Sequence, residues 1–214
     1  MAPLLDLAFI LVVVIDLFVL ASSRMGASIR VVAMQGVVLG ALPLLLAPAG
    51  HPLGHYVLLA GGALAIKGVV IPWLMFRAIR EAAIRREMAP VVGFVPSMVL
   101  GGIGVALAFA FSGRLPLPVP AHPFLVPTSL ATAWTGMLLV VSRRKAVNQV
   151  LGFLVLENGV FVFGLLLSGF MPTMVEAGVL LDLFAAVFVM GIVMFHINRE
   201  FSSLDTEKLS ALKD

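Results

Sequence analysis

The chain has 214 residues, 61% of them hydrophobic and 12% charged, with a formal net charge of +3 and no cysteine. Ordinary soluble domains carry roughly 25% charged residues, so this composition excludes a soluble globular domain and specifies an all-α, polytopic membrane protein. Without cysteine there are no disulfides, thiol nucleophiles or cysteine-ligated iron–sulfur and haem centres, and the few cations, scattered over connecting loops, lack the basic face that nucleic acid requires.

Apolar runs long enough to cross a bilayer lie at about 3–22, 28–48, 56–78, 91–112, 124–142, 147–169 and 175–197, which predicts seven transmembrane helices. The first run lacks the basic leader of a signal peptide and carries Asp6 and Asp16, so it reads as a retained span. Cations cluster in alternate connections. Arg24 and Arg30 flank the first, Arg77, Arg80, Arg85 and Arg86 the third, Arg143, Arg144 and Lys145 the fifth, and Arg199, Lys208 and Lys213 lie in the tail. The second, fourth and sixth connections hold only Arg114. The positive-inside rule then places the N-terminus outside and the C-terminus in the cytoplasm.

In the first span, Asp16 lies in the inner half, where Arg24 or Arg30 are candidate partners. The second span carries Gln35 and Gly36, with Pro43 near its outer end, where a kink is tolerated. Lys67 stands ten residues or so from either end of the third span. Its stem cannot snorkel ~15 Å, so it must face protein or water. A buried ion pair locking two helices and a titrating lysine in a relay both account for it. Beyond Pro72 the helix is expected to continue into FRAIREAAIRREM as a cytoplasmic extension.

The fourth span, with GGIG at 101–104, has no ionisable group and reads as packing or connection. SGRLPLPVPAH at 112–122 is an extended external loop in which His122 stands alone and solvent-exposed. The fifth span presents Thr128, Ser129, Thr132 and Thr135, which can bond within their helix or across to a neighbour.

The stretch Arg143–Phe163 is the most informative. Three adjacent cations precede an apolar run with Glu157 about 12 residues deep, roughly 15–18 Å from the basic cluster and near the middle of a ~30 Å hydrocarbon core. A carboxyl group there costs several kcal/mol unless neutral, paired or wetted, and so marks a functional site. Asn158 offers an amide beside it, and Gly159 lets another helix approach. In the seventh span Glu176 reads as a rim charge, Asp182 lies roughly 10 Å deep by helical rise, and His196 sits near the cytoplasmic end, where its ordinary pKa suits proton exchange. SSR at 22–24 followed by Gln35–Gly36 weakly echoes SRR at 142–144 followed by Glu157–Asn158–Gly159. The chain therefore divides into a three-helix unit (1–90), a fourth helix with its Pro-rich loop (91–123), a second three-helix unit (124–198) and a tail (199–214).

Asp16, Lys67, Glu157 and Asp182, with His196 at the inner edge, are of mixed sign and staggered depth. No nucleophile set, phosphate-binding loop or dinucleotide fingerprint accompanies them. A proton or ion path needs groups that hold and release charge while shifting one another's pKa. The same residues also serve as ion-pair glue, and the spacing leaves both readings open.

SRRKAVNQVLGFLVLENGVFVFG together with MPTMVEAGVLLDLFAAVFVMGI resembles the hydrogenase-4 component E family, membrane subunits of formate hydrogenlyase-type and related nickel–iron hydrogenase complexes. The last three helices also resemble the K subunit of respiratory complex I and the C subunit of Mrp-type antiporters: Arg143, Arg144 and Glu157 match the K-subunit pattern of a basic pair followed by a mid-membrane glutamate. The resemblance implies a non-catalytic subunit of the bacterial or archaeal inner membrane, without cofactors of its own. Nickel–iron and iron–sulfur centres would lie on partner subunits. The implied partners are antiporter-like and anchor membrane subunits, a hydrophilic hydrogenase-like arm, and lipid. A structural scaffold and an Mrp-type antiporter component are the alternatives.

Overall fold

The computed structural model describes residues 2–45, 53–81, 90–115 and 122–167, with Gly191. Within them the chain is helical: α1 (Ala2–Ala21), α2 (Met25–Leu45), α3 (Leu53–Ala65), a π-helical segment (Ile66–Val70), α4 (Ile71–Glu81), α5 (Phe94–Ser112), α6 (Leu125–Ser142) and α7 (Ala146–Leu167). Among the described residues six helices are long and apolar enough to cross a membrane: Pro3–Ala21, Met25–Leu45, Ala60–Arg77, Phe94–Ser112, Leu125–Ser142 and Val147–Leu166. They agree with the first six runs of the sequence. The run at 175–197, with Glu176, Asp182 and His196, lies outside the described residues.

The third span runs unbroken from α3 into α4 as far as Glu81, with an under-wound turn at its centre; the rest of the expected extension, 82–88, lies outside the described residues. A proline lacks the N–H that would bond four residues back, and its ring crowds that carbonyl. Here the strain is met by the π turn just before Pro72, closed by the Ile71 amide donating to the Ile66 carbonyl. Lys67 lies inside this turn and is buried.

Two antiparallel hairpins, α1–α2 and α6–α7, form the body, with α1 packed on α6 and α2 on α7. The third span lies along α2 and touches α7, while α5 covers α1 and α6. The apolar core falls into two clusters. One gathers Ile15, Leu20, Ile29, Val32, Ile71, Met75, Leu139, Leu151 and Val155 toward the connections after α1 and α6. The other gathers Leu5, Phe9, Val12, Leu39, Leu42, Val126, Phe161 and Val162 toward the opposite end. Along α1, α2, α6 and α7 the residues between the clusters are polar: Asp16, Gln35, Thr132, Glu157 and Asn158, all buried.

Small residues set the helix spacing. A Cβ added to Gly159 would strike the Ala133 backbone, one on Gly136 the Leu156 amide nitrogen, and one on Gly152 would lie 2.7 Å from the Val140 nitrogen. The α6–α7 backbones therefore meet directly along one face, the close approach that membrane helices achieve with small residues. At α5, Gly104 accommodates the Trp134 indole, whose Nε1 donates to the Leu100 carbonyl at 3.1 Å, and Gly101 accommodates Leu20. The glycine-rich fourth span is indeed a packing element; the indole that it receives carries no warning in the sequence.

Replacing Gly159 with leucine is expected to lower stability by about 3 kcal/mol, at the upper end of overpacking costs, and Gly102→Leu, where an added Cβ meets nothing within 4 Å, to stay within about 0.5 kcal/mol. Thermal unfolding of the detergent-solubilised variants checks the contrast.

Candidate functional site

The polar layer between the two apolar clusters is a hydrogen-bonded chain from Asp16 to Lys67, with Glu157 joined to its end by an ion pair. Gln35 lies ten residues into α2 and Glu157 eleven residues into α7, about 15 Å and 16 Å from the starts of their helices. Asp16 lies on α1, whose chain direction is opposite to that of α2. Because helical side chains lean toward their own N-terminus, Gln35 and Asp16 lean toward each other. Gln35 Nε2 donates to Asp16 Oδ1 at 2.8 Å, and Thr132 Oγ1 donates to Asp16 Oδ2 at 2.7 Å. Both carboxylate oxygens of Asp16 are thus engaged by neutral donors from α2 and α6. The cations Arg24 and Arg30, the partners considered from sequence, do not supply these contacts; Arg30 is exposed and its Nε donates to the Gly26 carbonyl.

From Gln35 the chain continues to α7. Asn158 Nδ2 donates to Gln35 Oε1 at 3.3 Å, and Asn158 Oδ1 accepts from Lys67 Nζ at 3.0 Å. Lys67 Nζ also lies 3.3 Å from Glu157 Oε1, with side-chain exposures of 5% and 4% for the pair, and 4.7 Å from the ring centroid of Phe161, one helical turn beyond Glu157. Gly36 makes the approach possible: an added Cβ there would lie 2.8 Å from Lys67 Cβ and 3.2 Å from the Lys67 carbonyl oxygen. The π turn thus holds Lys67 directly against α2 while its side chain reaches α7.

The structure therefore joins three of the five residues singled out in the sequence, Asp16, Lys67 and Glu157. The other two, Asp182 and His196, lie outside the described residues. Three linking residues, Gln35, Asn158 and Thr132, were legible only as polar side chains in apolar spans. The better signal was the glycine after each amide, Gln35–Gly36 and Asn158–Gly159, because a polar group in a span is useful only where a neighbouring helix comes close.

Two further polar sites hold the ends of the bundle. Arg143, a loop cation by sequence, is 2% exposed. Its Nη2 donates to the Leu20 carbonyl at the end of α1, its guanidinium lies 4.6 Å from the Phe94 ring centroid, and its own carbonyl accepts from Gln149 Nε2 at 2.9 Å. At the opposite end His122 is not the isolated, solvent-exposed residue expected. Its Nε2 lies 3.4 Å from Asp6 Oδ1, with 13% of its side chain exposed, and its ring centroid is 5.3 Å from that of Phe9. His122 rests on α1, where Phe9 gives the imidazole an apolar face and Asp6 a polar one.

Removing one member of a buried ion pair leaves the other charge uncompensated, at about 3–5 kcal/mol. Lys67→Met is therefore expected to destabilise the fold by that amount, Glu157→Gln by less, since an amide oxygen keeps a partial negative charge beside the ammonium, and the double variant by less than the sum. Thermal denaturation of the three proteins checks this; strictly additive losses would show that the two side chains do not interact.

No family model matches the chain, and no solved structure does. It is 34% identical over 192 residues to the uncharacterized protein Rv0085 of Mycobacterium tuberculosis, covering 88% of this chain and 86% of that protein. It is 31% identical over 158 residues to hydrogenase-4 component E of Escherichia coli K12, covering 72% of each chain, and to the protein of that name in Shigella flexneri to the same extent. The sequence resemblance is thereby confirmed for the first of the families considered: this multi-pass membrane chain belongs to the hydrogenase-4 component E family.

Proposed function

We propose that the chain is a membrane subunit of a hydrogenase complex and that its buried polar layer contributes to a proton or sodium path driven by redox chemistry on partner subunits. The relatives named hydrogenase-4 component E support the first part. The observation that carries the second is the placement at mid-membrane depth of a hydrogen-bonded chain from Asp16 to Lys67 with Glu157 ion-paired to its ammonium. Such groups are expensive there, and they characterise ion pathways. Among the described residues neither Glu157 oxygen accepts a hydrogen bond, and Lys67 meets the carboxylate as an ion pair at 3.3 Å.

On this reading the nickel–iron and iron–sulfur centres belong to a hydrophilic arm, and this chain sits in the plasma membrane beside antiporter-like and anchor subunits, its N-terminus outside. The likeness of residues 140–195 to the complex I K subunit supports a role beside a pump, with Glu157 as the residue carried over. Lys67 and Glu157 act as a pair whose attraction weakens when either changes charge, and Asp16 is the second acid of the path. Asp182 and His196 belong to the same path by depth and chemistry.

A scaffold role is the second reading. The near-complete burial of the Lys67–Glu157 pair favours it, because the polar layer ties α1, α2, the third span, α6 and α7 together. Glu157→Gln separates the two. In membrane vesicles containing the assembled complex it is expected to preserve subunit composition while lowering ion pumping at least about tenfold, the scale of losing a proton-transfer group. Wild-type pumping in that variant would reject the path, and loss of the complex with unchanged coupling in the remainder would select the scaffold.

A further inference from the structure

The hydrogen bonds between Lys67 and Asp16 all run the same way. Lys67 donates to Asn158, Asn158 donates to Gln35, and Gln35 donates to Asp16. The donor inventory dictates this order. An ammonium can only donate, so the carbonyl of Asn158 must face it, which turns the Asn158 amide nitrogen toward Gln35. Gln35 must then accept through its carbonyl and offer its own nitrogen to Asp16. An ionised carboxylate can only accept, so both ends of the chain demand one orientation of the two amides between them. Thr132 donates to the other oxygen of Asp16, consistent with the ionised form.

We infer that Gln35 and Asn158 are positioning residues that couple the charge state of Asp16 to that of Lys67 through their shared orientation. An amide does not pass a proton along, since neither its nitrogen nor its oxygen readily exchanges one at neutral pH. It does turn over. If Asp16 takes up a proton or Lys67 gives one up, that end no longer enforces the donor direction, and the aligned dipoles lose their reason to point from α7 to α1. The path consequently has two exchanging stations, Asp16 with Thr132 and Lys67 with Glu157, joined by a link that transmits charge state but no proton. This deepens the proposed ion path and rests on it for its use, although the coupling itself exists without turnover.

The other charged groups near the two ends are few among the described residues. α1 packs on α2, α5 and α6. α2 contributes Arg30, which is exposed; α5 and α6 contribute none within their helices, and Arg143 beyond α6 is seated on the Leu20 carbonyl one turn from Asp16. The third span packs on α2 and α7, which bring Gln35 and Glu157 to Lys67.

The sequence makes the test tractable. It contains two glutamines, Gln35 and Gln149, and Gln149 donates to the Arg143 carbonyl outside the polar layer, so it serves as an internal reference. The full chain, purified with the chains that accompany it and labelled with side-chain 15N-glutamine, is titrated with pH while both amide resonances are followed. The Gln35 resonance is expected to titrate and the Gln149 resonance to be unaffected by the substitutions. Lys67→Met should displace the Gln35 midpoint by about one pH unit, the scale expected of a nearby charge, but by less than about a third of that when Asn158 is also leucine. An equal displacement with and without Asn158, no displacement, or a Gln35 signal that does not titrate would overturn the coupling. If Asn158→Leu does not fold, Gln35→Leu with and without Lys67→Met, read at the Asp16 carboxyl carbon, supports or overturns it by the same comparison. Because no pumping is measured, loss of the ion path through a fully active Glu157→Gln complex is a separate result from loss of the coupling.

Discussion

The ammonium of Lys67 fixes much of the interior. It needs polar partners in a region where lipid supplies none, and it finds them on α7: Asn158 Oδ1 as a hydrogen-bond acceptor and the Glu157 carboxylate as a counter-charge. Engaging Asn158 orients that amide toward Gln35, and Gln35 toward Asp16, so one cation on the third span determines polar geometry as far away as α1. The apolar clusters on either side make this order compulsory by keeping water from acting as an alternative partner. A layer of this kind stabilises only when all its members are in place, which ties the helices' register to one another as well as to the charges.

Close helix packing and buried polarity are the same design seen twice. Gly36 brings α2 against the backbone of Lys67, and Gly136, Gly152 and Gly159 bring α6 against α7. Short side chains such as those of Asp16, Thr132 and Asn158 can hydrogen-bond across helices only at such separations. Lipid offers no hydrophobic drive for helix association, so packing contacts and interhelical hydrogen bonds share that work.

Much of this was legible in the sequence. Six spans follow from hydropathy, and Asp16, Lys67 and Glu157 follow from the cost of charge at depth. Their pairing was not legible, because hydropathy gives the depth of a residue but not its direction around the helix. Asp16 illustrates the point: nearby arginines in the sequence suggested an interfacial ion pair, whereas its side chain turns inward to Gln35 and Thr132. Arg143 shows the converse. A cation beside two others in a short connection resembles a topology signal, yet it is buried against a helix end and an aromatic ring. His122 was misread for a similar reason, since nothing in its sequence neighbourhood reveals that the imidazole meets Phe9 and Asp6.

The under-wound turn at Ile66–Val70 also governs the azimuth of everything along its rod. Ala60, Ala63, Lys67, Ile71 and Met75 are buried at successive intervals of three, four, four and four residues. On a regular helix of 3.6 residues per turn such a row would wander steadily around the cylinder and leave its neighbours behind. Widening one turn takes back part of that drift, so the row stays in a narrow meridian facing α2 and α7. The same correction leaves Trp73, Arg77 and Arg80 on the outer side, with Arg77 over the Trp73 ring. One local irregularity thereby aims the lysine inward and the arginines outward from a single continuous rod.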